Sequence, residues 1–165
     1  MILSLALSLA SSALPLGDLE PVCIGDTAPH NAFTDIARAG GRLFCVYRES
    51  DSHALGSDGK IRVLVQQRDS SWESFALIEE PSVDLRDPKL SVTPRGELML
   101  LCGGSHYVDR ELVKRRNLVA LLKPRADTFG PLQVVEIDEA IRTKVDWLWR
   151  GTWHKSVGYG GVYQA

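Results

Sequence analysis

The sequence predicts an all-β protein built from a repeated four-stranded antiparallel unit, the pattern of β-propeller blades, and three observations predict it. Short runs of alternating apolar and polar residues are bounded by Gly, Pro, Asp and Ser throughout. Helical periodicity is confined to "DEAIRTKV" (138–145), which is short and flanked by strand signals. A strand, glycine turn, strand motif recurs at 33–50, 87–104 and 151–164, and its turn glycines Gly41, Gly96 and Gly158 are spaced by about 50 to 60 residues, as in propeller and solenoid arrays. An immunoglobulin-like sandwich explains the strands but not the repeat.

The elements follow in order. The hairpin "FTDIARAGGRLFCVYRES" (33–50) opens the first blade, about residues 30–80, and "KIRVLVQQ" and "WESFALIEE", joined by "RDSS", complete it. The hairpin "DPKLSVTPRGELMLLCGG" (87–104) opens the second, about 84–138, with "NLVALLKP" (117–124) and "LQVVEID" (132–138) as its outer strands. A third unit, about 145–165, holds only "GTWHKSVGYGGVYQ" and its lead-in, half a blade. Propellers usually close with four to eight blades, so residues 29–165 read as a partial propeller of roughly two and a half blades, a fragment of a larger ring, whose open edge invites self-association.

Composition narrows the function. The chain has 165 residues, 44% hydrophobic content and a formal net charge of -2, the profile of one ordinary globular domain. The one dense basic run, "VKRR" (113–116), reads as a solvated loop, so no nucleic-acid partner is expected. Residues 1–28 read as a secretory signal or an N-terminal arm. The apolar stretch to Leu16 is too short for a membrane span, and Ser11 and Ala13 supply small residues for cleavage, which predicts a secreted or periplasmic protein. No basic residue precedes the stretch, which leaves a cytoplasmic protein with an apolar arm as the alternative. Cys45 and Cys102 fall inside apolar runs and read as buried thiols, with Cys23 unpaired. No Cys/His cluster is present, so neither a metal nor another cofactor is expected.

In a blade, the start of the innermost strand and the loop after the second strand share one rim of the disc. His30 and Asn31, then Asp84, Arg86 and Asp87, then Trp147, Trp149 and Arg150 occupy the first position; Arg48, Glu49, Asp51 and His53, then Ser105, His106 and Tyr107 occupy the second. The opposite turns carry ordinary turn residues. Binding and catalysis concentrate on loops at one end of a rigid scaffold. Asp87, Asp51 and His53 are therefore the candidate catalytic groups, and Arg48, Arg86, His106, Tyr107, Trp149 and Arg150 the candidate substrate contacts. An Arg86–Asp87 ion pair at the strand end is the structural alternative, and the segment around His53, "SDSHALGSDG", reads as a mobile loop. His154 is expected to face the blade interior, sharing a strand face with Arg150 and Thr152.

The segments "HNAFTDIARAGGRLFCVYRESDSH", "DGKIRVLVQQRDSSWES", "VDLRDPKLSVTPRGELMLLCGG" and "WLWRGTWHKSVGYGGVYQ" resemble the front of bacterial sialidase-like, BNR-repeat propeller proteins over about residues 29–164. The run "VQQRDSSWES" stands where that family places its Asp-box, of which Ser71 and Trp72 fit the pattern, and the resemblance gives Trp72 a structural role. It implies a six-bladed propeller acting on or binding a sialic-acid-like or other acidic glycan, with an arginine triad for the carboxylate, an aspartate acid/base and a Tyr/Glu nucleophile pair. Guanidinium forks suit carboxylates because they bind in two-point fashion. This chain departs from the pattern: "HNAF" replaces the family's first arginine motif, Arg48, Arg86 and Arg150 occupy other positions, and the nucleophile pair would lie on later blades. The string "RDP" (86–88) also resembles five-bladed glycosidases of furanosides, and a non-catalytic glycan-binding or assembly propeller needs only the arginines and aromatics.

Overall fold

A computed structural model describes residues 20–143 and 145–164. Residues 1–19 of the expected signal segment lie outside them. Those described form ten strands in three antiparallel sheets, without a helix. The first sheet has the order β1 (His30–Ala39), β2 (Arg42–Ser50), β3 (Lys60–Gln66), β4 (Trp72–Ile78). The second repeats it with β5 (Asp84–Val92), β6 (Leu98–Val108), β7 (Glu111–Leu122) and β8 (Gln133–Val134). β9 (Asp146–His154) and β10 (Val157–Gln164) form the third sheet.

Alternation along the strands decides how the sheets stack. Phe44 and Val46 of β2, with Ile61, Val63 and Val65 of β3, point to one face and pack against Leu85, Leu90, Leu98, Leu100 and Cys102 of the second sheet. The alternate residues Cys45, Tyr47 and Leu64 form a smaller cluster on the other face, against Trp72. Trp72 is thus held by packing, and the β3–β4 turn beside it is held by Asp69, whose carboxylate accepts from the Ser71 amide at 3.0 Å and hydroxyl at 2.6 Å. Residues 23–29 run against the same face, where the Gly25 backbone lies on the Tyr47 ring so closely that an added Cβ would stand 2.6 Å from the phenol oxygen.

Two of the three glycine turns are as expected. Gly40 and Gly41 (φ 55° and 80°) turn β1 into β2, and Gly96 (φ 78°) closes the β5–β6 turn. In the third sheet the turn is Lys155–Ser156, with Lys155 left-handed at φ 54°, and Gly158 lies two residues inside β10. There it pairs with Trp153, whose indole covers the bare backbone. Further differences concern edges. The "VKRR" run is part of β7, not a loop, and β8 keeps only two of the seven residues of "LQVVEID". Within "DEAIRTKV", residues 138–142 make a single turn, in which the Ile141 and Arg142 amides both donate to the Asp138 carbonyl at 3.0 Å.

Candidate functional site

The three innermost strands share one irregularity. In β1, Phe33 and Thr34 together face the single residue Tyr47 of β2, since Ala32 pairs with Arg48 and Asp35 with Val46. In β5, Asp87 and Pro88 face Cys102. In β9, Trp149 and Arg150 face Gly161. Each bulge begins at the fourth residue of its strand, counted from His30, Asp84 and Asp146. A bulge breaks the alternation and re-aims a side chain that the pleat would send elsewhere. Phe33, Asp87 and Trp149 are accordingly delivered to one cleft of about 530 Å³, completed by His53, Arg86, Arg115, Trp147 and Tyr163.

Two of these bulges hold left-handed backbone on non-glycine residues, Phe33 at φ 62°, where it is disfavoured, and Asp87 at φ 47°, a residue type that tolerates it better. Such conformations cost of order 1–3 kcal/mol and concentrate where a side chain must be presented. Pro88 fixes its own φ and lacks an N–H to leave orphaned at the irregular position.

Asp87 is the carboxyl of the cleft. Its Oδ1 is buried without a hydrogen-bond partner among the described residues, and burial raises its pKa above the ordinary carboxylate value against the pull of Arg86, Lys89, Arg48 and Arg115. The Arg86–Asp87 ion pair, the structural alternative, does not form among the described residues. Arg86 instead stands 3.5 Å from Asp84 Oδ2 and donates through Nη2 to the His53 carbonyl at 2.7 Å. A carboxyl so placed is suited to hold a proton and donate it.

The loop carrying His53 is tied down at several points. Asp51 accepts from the Ser57 amide at 3.0 Å, Ser50 Oγ donates to the Ser57 carbonyl at 2.9 Å, and Arg48 Nη1 donates to the Ser52 carbonyl at 3.0 Å. The Ser57 amide and neighbouring hydroxyls hold the Asp51 carboxyl below its ordinary pKa. The His53 ring meets His30 edge-on at 5.3 Å and Phe33 at 5.5 Å between centroids.

Of the nine candidate residues, the cleft brings together Asp87, His53, Arg86 and Trp149. Arg48 is turned into the seam between the first two sheets, 1% exposed. Asp51 is spent within its own loop, and His106 Nδ1 bonds the Ser82 carbonyl at 2.7 Å. Tyr107 lies outside the cleft lining, as does Arg150, whose guanidinium pairs with Asp35. His154 is exposed rather than interior, because the bulge at Trp149 and Arg150 shifts the alternation beyond it.

Phe33, Arg115 and Tyr163 were not expected in the site. The Arg115 guanidinium carbon lies 4.3 Å above the centre of the Trp147 ring, a cation–π contact that draws the charge inward. Trp147 in turn needs Gly103: a Cβ there would stand 2.8 Å from the indole. Gly103 is the register equivalent of Arg48, pairing with Arg86 as Arg48 pairs with Ala32. A β-strand position reading Gly-Gly (103–104) beside a Trp-rich strand is the sequence signal for this close approach.

Comparison with protein-family models, with curated proteins and with solved structures gave no match.

Proposed function

We propose that this chain is part of a sialidase-like β-propeller whose rim cleft binds a carbohydrate bearing an acidic group. The observation that carries this reading is the bulge shared by β1, β5 and β9, which sends Phe33, Asp87 and Trp149 to one cleft beside Arg86 and Arg115. Indole and phenyl faces suit the apolar faces of pyranose rings, and guanidinium groups suit a carboxylate. The repeated order of two four-stranded sheets followed by a hairpin supports the propeller reading.

The cleft lining offers a single carboxyl, Asp87. Glycoside cleavage needs an acid and a second group, nucleophile or base, across the scissile bond. Tyr163 also lines the cleft, but in the sialidase-like pattern the Tyr nucleophile is paired with a Glu, and no Glu lines the cleft among the described residues. Binding is therefore the activity assigned to this chain, with hydrolysis reserved for an assembly that adds the second group. Titration of the purified chain with sialic acid, its methyl ester and a neutral pentofuranoside tests the reading. Sialic acid should bind best, and Trp149→Ala should weaken it roughly 3- to 10-fold, the worth of one aromatic stacking contact. Equal affinity for acid and ester would overturn the acidic-sugar assignment, and preference for the furanoside would favour the five-bladed glycosidase reading.

A further inference from the structure

A second cavity, of about 420 Å³, lies at the free edge of β7. It exists because β8 is so short. Leu118 and Val119 pair with Val134 and Gln133, and the Val135 amide reaches the Asn117 carbonyl at 2.8 Å. Beyond that point the chain 136–143 diverges and leaves the edge of residues 114–116 open.

The charged part of the lining is mostly cationic. Lys114, Arg115, Arg116 and Arg142 face two carboxylates, Glu136 and Asp146. Asp146 is already engaged, accepting from the Thr143 amide at 2.9 Å and hydroxyl at 2.8 Å and from Gln164 at 2.8 Å. Arg142 makes one exposed pair, with Glu139 at 3.1 Å. No ion pair involves Lys114 or Arg116 among the described residues. Like charges gathered in a concave surface focus the field on an incoming anion.

Arg115 borders both this cavity and the aromatic cleft. The two are thus adjacent stations along one surface, the first aromatic and the second basic. We propose that the basic cavity binds a sulfate group on the next unit of an anionic oligosaccharide whose terminal sugar lies in the aromatic cleft. The inference rests on the carbohydrate reading of that cleft for the identity of the ligand, but the anion site stands on its own residues. Nucleic acid fits the surface less well, since the chain carries a formal net charge of -2.

The test is titration of the full chain with a heparin-derived sulfated tetrasaccharide, its desulfated counterpart, inorganic sulfate and a short single-stranded oligonucleotide. The sulfated sugar should bind at least about tenfold tighter than the desulfated one, with an advantage that shrinks as salt is raised. The variant Lys114→Gln/Arg116→Gln should abolish that advantage while leaving the desulfated sugar unaffected. Arg142→Gln should reduce it by itself. Trp149→Ala should weaken both sugars equally and leave inorganic sulfate untouched. If Trp149→Ala changes nothing but the charge variants still remove the sulfate advantage, the cleft reading fails and the anion site stands. Equal affinity for the two sugars, or charge variants that leave the advantage intact, overturns the anion site. Tighter binding of the oligonucleotide overturns the carbohydrate assignment.

Discussion

Arg48 and Asp84 form a buried ion pair across the seam between the first two sheets, Nη2 to Oδ1 at 2.7 Å. Asp84 Oδ1 also accepts from Arg48 Nε at 3.2 Å and from the Gly59 amide at 2.9 Å, and Arg48 Nε reaches the Leu85 carbonyl at 3.1 Å. The pair is enclosed so tightly that a Cβ on Gly59 would stand 2.3 Å from Arg48 Nε. Desolvating two charges offsets much of their attraction, so the pair's net worth is small, but removing Arg48 leaves the buried Asp84 with only the longer Arg86 contact, at 3.5 Å, as ionic partner.

Arg48→Met should therefore destabilise the chain by about 3–5 kcal/mol, a large share of the ~5–15 kcal/mol that a domain commonly has. The double variant Arg48→Met/Asp84→Asn should recover a measurable part. Urea unfolding of the three proteins checks this, and a double variant no more stable than the single one would show that the charge is not what Arg48 neutralises.

Asp87 gives a pH prediction. Its folded-state pKa is raised by burial, so the folded protein favours the protonated form. The associated stability is fully present below the unfolded carboxylate pKa and is lost as pH rises through the folded value. Asp87→Asn removes the ionisation, so the variant should gain in Tm over the native chain at neutral pH, and the gain should shrink as pH falls below the unfolded carboxylate value. Asn also tolerates the φ of 47° better than Asp, a benefit independent of pH. Thermal unfolding across the acid range separates the two, and a constant difference would contradict the burial account.

The two four-stranded sheets were legible because each strand alternates and each turn carries its own Gly, Pro or Asp signal. The edges were not. Val113 to Arg116 looks like a solvated loop because three consecutive cations are costly in a core, yet β7 carries them at its open edge and Arg115 discharges part of that cost on Trp147. Asp87, His53, Arg86 and Trp149, chosen from strand-end position alone, line the cleft. Phe33 was missed because alternation counts it as an ordinary strand residue, and only the bulge, invisible to period-two counting, turns it to the cleft. Arg48 looks like a ligand contact by the same positional rule, and its distinguishing feature is a partner 36 residues away.

Gly103 is the counterpart of that seam contact on the other side of the second sheet. Gly103→Ala should displace the Trp147 ring and cost about 1–3 kcal/mol, the usual penalty for overpacking. Because Trp147 carries Arg115 on its face, the same substitution should weaken acidic-sugar binding and alter tryptophan fluorescence. Unchanged fluorescence and affinity would show that the ring is not held against the glycine.

All eight residues of β10 are exposed. β2 and β6 occupy the corresponding position in their sheets and each is covered on its outer edge, by β3 and by β7, whereas β10 pairs with β9 alone among the described residues. Val157, Tyr159, Val162 and Tyr163 remain 43–65% exposed along it. An edge strand with unpaired amides, carbonyls and apolar side chains is a template for another strand. The purified chain should therefore self-associate, with a mass that rises with concentration in sedimentation equilibrium. Val162→Lys should shift that equilibrium toward monomer, since a lysine on an edge strand opposes pairing. A native chain that stays monomeric throughout the series would mean that the edge of β10 is already satisfied.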